Sequence, residues 1–451
     1  MWLCSLGDSI FVRVGFLVLC SFSIGCRSES NSAKAPAAVD SSAAVSAATT
    51  SHANSASTGD QANSKSTLAL SAPQAYELDA TKLLAAALPE NLLKEGWISL
   101  FDGQSLFGWL VAGEANWRVE QGTIRVDAGE PSFLCTSFQL ADYELKVDFR
   151  CDAQTNSGVF LRTPPSPEDP ARDSLELNIA PPDNPFPTGS FVKRQKLEPQ
   201  DLGAIDTTAW HTFHIRLEGD QVKVSLDDKP IMELTDKTKL GRGHISLQHN
   251  QGRIEFRNIW LRPISQKHLL LDQDWEKDWT KSEKEKLTVT VVPEGLHLQG
   301  GLGQLQSKAD FGDFLLQAKY KLAQPQVNSG IFFRCVRDSM LDGYECQLNH
   351  AIVDGDRMRP ADAGAGAIFR RQAARMVIGE GTTPTYLTLL AAGNHLVSWV
   401  NGVQMIDFID DRAPHENPRR GSKVGAGPIS LQGHDPTTDA TFLSISVSPI
   451  R

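Results

Sequence analysis

Two segments of the chain set a carboxylate, a guanidinium and an amide at spacings that strand geometry can bring together. In the first, Arg162 ends the run Asn156–Arg162, and Glu176 and Asn178 lie in the run Glu176–Ile179. In the second, Arg334 ends Asn328–Arg334, and Glu345 and Gln347 lie in Glu345–Leu348. Side chains alternate faces along a strand. A hairpin register that sets Arg334 opposite Gln347 therefore gathers Arg334, Glu345 and Gln347 on one face. The same construction gathers Arg162, Glu176 and Asn178. The planar fork of an arginine holds a carboxylate or paired hydroxyls. A glutamate accepts hydroxyl protons, binds a divalent ion or acts as a base. The plain alternative is a solvated ion pair on an open sheet. That register also opposes Cys335 and Cys346 on the other face, with Cβ atoms about 4.5–5.5 Å apart, near disulfide reach but somewhat wide. A bridge and two buried free thiols both fit.

The elements that must position these residues are strands. ELKVDFR (144–150), TFHIRLEG (212–219), QVKVSLDD (221–228), HISLQHN (244–250) and RIEFRNIWL (253–261) alternate apolar and polar residues. Such period-two runs form half-buried antiparallel strands. They also recur: the Asn-Ser-Gly segment at 156–162 returns at 328–334, GHISLQ (243–248) returns as GPISLQ (427–432), and each copy closes on Pro-Ile. The period is too long for a solenoid and marks a tandem duplication, about 95–265 and 268–451. Abundant turn formers, 35 Gly and 24 Pro against 6 Met, agree with an all-β chain. A net charge of −10 leaves no basic excess for a nucleic-acid footprint. No Walker motif, nucleophile elbow or HExxH occurs, and no Cys pair has zinc-site spacing.

The first 26 residues read as an export signal. Arg13 precedes the apolar run Val14–Phe22, which is too short to span a bilayer. Ser23-Ile24-Gly25-Cys26 then resembles a lipobox, with Ser23 where Leu is usual. The expectation is an exported protein, either a cell-envelope lipoprotein held to the membrane by a lipid anchor alone or a periplasmic or secreted one. Residues 27–74, rich in Ala, Ser and Thr, read as a flexible tether, and 75–94 as a short helix.

Several phrases, in order, resemble the 3-keto-disaccharide hydrolase family: GWISLFDGQSLFGW (96–109), NWRVEQGTI (116–124), DYELKVDFR (142–150), NSGVFLR (156–162), AWHTFHI (209–215) and IEFRNI (254–259). The second copy is more divergent. It keeps NSGIFFR (328–334), GYECQLN (343–349), AGAIFR (365–370) and ISLQGH (429–434), but opens as LLLDQDWEKDW (269–279). The resemblance implies two tandem concanavalin-like jelly-roll β-sandwiches and cleavage of glycosides that carry a ketone at C3. Many family members carry Leu-Gln-Asp-His-Gly near the last strand. Here the first copy has His249 and Asn250 at the Asp and His positions, and the second has Gly433 and His434.

The implied chemistry is brief. A C3 ketone acidifies the C2 proton, a base removes it, the C1 substituent leaves, and water adds. His or a desolvated Glu suits the base, and Arg or a divalent metal suits the developing enolate. Glu345 and His434, with Glu176 in the first copy, are the expected catalytic groups. Arg334, Gln347, Arg162, Asn178 and His249 are the expected sugar contacts. The alternative is a tandem non-catalytic carbohydrate-binding module, favoured by the incomplete Asp-His pair in both copies.

Overall fold

The computed structural model describes residues 70–203, 205–281 and 284–450. The expected signal and most of the tether lie outside them. The regular structure of the described chain is almost all antiparallel strand, arranged as two β-sandwiches.

In the N-terminal sandwich, a six-stranded sheet runs Leu70–Ser71, Trp109–Ala112, Ser132–Thr136, His244–Gln251, Asn156–Thr163, Leu175–Ile179. It faces an eight-stranded sheet centred on His211–Glu218, Tyr143–Cys151 and Ile254–Pro263. The alternation in each strand explains the layering. Leu134, Val159, Leu177 and Leu247 point inward from the first sheet and meet Leu145, Val147, Phe213 and Phe256 from the second. Each such side chain contributes roughly 1.5–3 kcal/mol on full burial.

The C-terminal sandwich repeats the plan. A five-stranded sheet runs Trp279–Lys281, Gly303–Phe311, Gly427–Gly433, Gly330–Phe333, Tyr344–Gln347. Leu305, Ile331, Cys346 and Leu431 pack inward against Leu316, Tyr320, Leu389 and Phe442 of its eight-stranded partner. The helix expected over 75–94 is two short ones, Ala80–Ala85 and Glu90–Lys94. Pro89 divides them: lacking an N–H and restricting the residue before it, it starts the second helix and ends the first.

The two sandwiches share a continuous apolar contact. Leu315, Leu390, Val397 and Trp399 of the C-terminal eight-stranded sheet join the N-terminal core. Trp399 meets Phe138 edge-on at 5.6 Å and donates its indole N–H to the Ser99 carbonyl at 3.0 Å. Arg375 pairs with Asp102 at 2.7 Å across this contact.

Candidate functional site

The hairpin register differs from the expected one. Gly330 pairs with Gln347, Ile331 with Cys346 and Phe332 with Glu345. Arg334 lies beyond the ladder, with φ +48°. Cys335 therefore does not oppose Cys346, and both are buried free thiols.

Arg334 and Arg162 are not on the site face. Arg334 is fully buried. Its guanidinium donates to the carbonyls of Gly312, Gly393 and Lys423 and pairs with Asp313 at 2.9 Å. Arg162 does the same in its own sandwich, with φ +50°. It donates to the carbonyls of Ala141 (2.7 Å) and Gly219 (2.7 Å) and pairs with Asp142 at 3.1 Å. Asp142 and Asp313 in turn each accept the amide N–H of the glycine whose carbonyl the arginine holds, both at 2.9 Å. Each arginine clamps a strand end to two turns, and all three guanidinium nitrogens are engaged. The expected sugar-binding roles of both arginines are thereby corrected.

The remaining residues build a repeated platform on the outer face of each smaller sheet. In the N-terminal sandwich, one cross-strand row is Cys135, Ser246, Phe160, Glu176 and the next is Phe133, Gln248, Gly158, Asn178. In the C-terminal sandwich, Gln306, Ser430, Phe332 and Glu345 form the first row, and Gln304 pairs with Gln432 and Gly330 with Gln347 in the second. A side chain at Gly330 would crowd this row. A Cβ on Gly330 would stand 3.1 Å from Glu345 Cγ and 3.3 Å from Gln432 Oε1, tighter than the neighbours permit without moving. The bare glycine leaves room beside the acid.

Loops close over the C-terminal platform. Gln304 ties down Ser339 and Leu341. Gln347, fully buried, donates to Asp362 at 3.2 Å and accepts from its neighbour Leu348, so it holds the loop and has little left for a ligand. Arg419 donates to the Leu341 carbonyl at 2.8 Å, lies over the Phe332 ring and reaches within 3.8 Å of Glu345. Burial pushes the Glu345 carboxyl up to about 7, with Arg419 and His434 opposing the rise and Asp362 adding to it. A carboxyl in that state carries a proton at mildly acidic pH and can lose it near neutrality. His434 lies just past the strand end, half-exposed, with Nδ1 against Asp435 at 2.8 Å. That contact fixes the imidazole and leaves Nε2 free.

The N-terminal platform has the same acid in simpler surroundings. Burial pushes Glu176 up to about 7, with Lys193 opposing. Asn178 donates to the Phe186 carbonyl, while its Oδ1 is buried without a partner. His249 stands apart from Glu176. It follows Gln248, so it points to the opposite face, where burial lowers its pKa against the opposing influence of Gly129 and Asp127. Its expected role as a sugar contact beside Glu176 is corrected by this alternation.

Gln432, Gln248 and Arg419 are not among the residues nominated from sequence. The two glutamines were signalled by the repeated Ile-Ser-Leu-Gln; Arg419 comes from a loop with no counterpart in the first copy. Among the described residues, no group of three or more His, Cys, Asp or Glu side chains is placed to hold a metal ion.

The sequence profile of the 3-keto-alpha-glucoside-1,2-lyase-like domain matches residues 96–262 and again residues 269–447. No curated protein matches the chain. Among solved structures, a Parabacteroides distasonis protein named as a candidate glycosyl hydrolase is 16% identical, with 40% of this chain aligned to 99% of that one at a TM-score of 0.35. The carbohydrate-binding module CBM66 from Bacillus subtilis is 18% identical, with 34% of this chain aligned to 95% of that one at a TM-score of 0.28.

Proposed function

The chain belongs to the 3-keto-alpha-glucoside-1,2-lyase-like family, and we propose on that footing that its C-terminal sandwich cleaves 3-keto glycosides by elimination across C1 and C2. The observation that carries the reading is a buried carboxyl raised to about 7, Glu345, with Arg419 at 3.8 Å, on a sheet whose strand Gly427–Gly433 leads to an imidazole, His434, held by Asp435 at 2.8 Å.

The reaction is assigned to the chain's own groups. His434 Nε2 takes the proton from C2, and the electron pair passes to the C3 oxygen as an enolate. Arg419, beside Glu345, stabilises that charge. The enolate collapses, the bond from C1 to the glycosidic oxygen breaks, and neutral Glu345 gives its proton to the departing oxygen. The product is a 1,2-unsaturated 3-keto sugar. Where hydration follows, Glu345 takes a proton from the water that adds to C1 and His434 returns one to C2, which restores both groups. Neither step requires Arg334 or Arg162. No step is assigned to the expected divalent metal, which enters as a variable of the test.

Incubation of the purified protein with 3-keto maltose, with EDTA and with added calcium, zinc or magnesium in parallel, tests the proposal. Release of glucose with formation of the unsaturated or hydrated 3-keto sugar is expected. No release under any of these conditions would overturn it.

A further inference from the structure

We infer that the N-terminal sandwich carries a second, non-reacting binding site for an uncharged sugar, built from Phe133, Gly158, Glu176, Asn178 and Gln248. The inference rests on the reading that chemistry belongs to the Glu345 centre, and it assigns a different task to the other platform.

Three observations carry it. First, two buried acceptors on this face have no partner: Gln248 Oε1 and Asn178 Oδ1. Gly158 lies between them, paired with Gln248 on one side and with Asn178 on the other. A buried acceptor left unpaired is costly, and sugar hydroxyls supply the missing donors. Asn178 is 3% exposed and its amide is already anchored on Phe186, so its free oxygen is fixed in direction. Second, Phe133 is half-exposed on the same face, packed edge-on to Phe160 at 5.0 Å. Its counterpart in the other sandwich is Gln304, which is engaged with loop backbone. A ring beside free acceptors suits the apolar C–H face of a pyranose. Third, the reacting partners are missing. Asn250 stands at the position of His434, and the 413–423 segment that delivers Arg419 has no equivalent in the short connection before Gly243. The nearby cation, Lys193, is paired with Asp169 at 3.2 Å, so nothing on the face selects an anionic ligand. The platform retains hydroxyl recognition and its buried acid, and lacks the imidazole and the guanidinium of the other sandwich.

Maltose, which has no C3 ketone and so cannot undergo the elimination, is the probe. Its affinity is measured by titration calorimetry and saturation-transfer NMR on the full chain carrying Glu345→Gln and Gln432→Ala, which disables the C-terminal platform. Binding is expected to persist. Adding Gln248→Ala to that background should weaken it at least tenfold. Phe133→Ser, at a half-exposed position, should do the same with native-like thermal unfolding, which guards against misfolding of the first variant. Absence of maltose binding to the Glu345→Gln/Gln432→Ala protein would overturn the inference, as would unchanged affinity in both further variants. Turnover of 3-keto maltose by the unmodified protein reports separately on the C-terminal centre, so failure of one reading does not mimic failure of the other.

Discussion

The two raised carboxyls give the molecule a distinctive pH response. Glu176 and Glu345 each move from an ordinary 4.5 up to about 7 on folding, chiefly through burial. A group whose pKa rises on folding favours the folded state fully below its unfolded pKa and loses that contribution as pH climbs through the folded value. Both therefore stabilise the fold relative to higher pH up to about 4.5, and the benefit fades between about 4.5 and 7. At about 1.36 kcal/mol per pKa unit, each contributes on the order of 3 kcal/mol across that window. Thermal unfolding should show the unmodified protein losing stability between pH 5 and 8, and the Glu176→Gln/Glu345→Gln variant losing much less. An unchanged slope in the variant would contradict the assigned burial. The same titration predicts that the proposed cleavage, in which neutral Glu345 is the acid, falls as pH rises above about 7. Of the residues nominated from sequence, Glu345 and His434 come within electrostatic reach of each other, while Glu176 and Asn178 share a face. The identities were legible because a glutamate two residues before an amide repeats in both copies.

At the level of elements, the strands were legible and the register was not. Alternation marks a strand whatever its partner, so HISLQHN and ELKVDFR could be assigned without knowing what lay beside them. Register depends on where a ladder ends, and the arginine at the end of each Asn-Ser-Gly segment leaves the β-region with φ near +50°. A non-glycine residue in that conformation is uncommon and is held there by surrounding contacts. The repeated arginine therefore signals architecture. Replacing Arg334 by Leu would leave three carbonyl acceptors without their donor and Asp313 with Arg242 and the Gly393 N–H alone, at a cost of about 3–5 kcal/mol. Arg334→Lys should recover little, because an ammonium cannot span the same planar set of acceptors. Denaturant unfolding of the two variants checks this; a loss below about 1 kcal/mol in both would show that the clamp is dispensable.

At the scale of the whole molecule, the duplication was visible in the sequence, but the contact between its copies was not. Trp399 and Leu315 look like ordinary strand residues; only the fold shows that they extend the neighbouring core. Arg242 and Asp313 add an ion pair between the sandwiches at 2.6 Å, and Asp313 is also the acid that holds Arg334. An apolar contact of this kind couples the two folding units. Calorimetry should give one unfolding transition for the unmodified chain. Trp399→Ala, costing roughly 3–5 kcal/mol, should split or broaden it; two transitions already present in the unmodified chain would contradict the coupling.

In the proposed reaction His434 and Glu345 handle the C2 proton and the leaving oxygen of a 3-keto glycoside. Solvent exchange at C2 isolates the first of these steps. In deuterium oxide, methyl 3-keto-α-glucoside followed by proton NMR should lose its C2 signal faster with the protein than in buffer. His434→Asn should cut that acceleration at least a hundredfold, while Glu345→Gln should block release of methanol yet spare part of the exchange. Exchange that proceeds at the same rate with His434→Asn as with the unmodified protein would contradict the account.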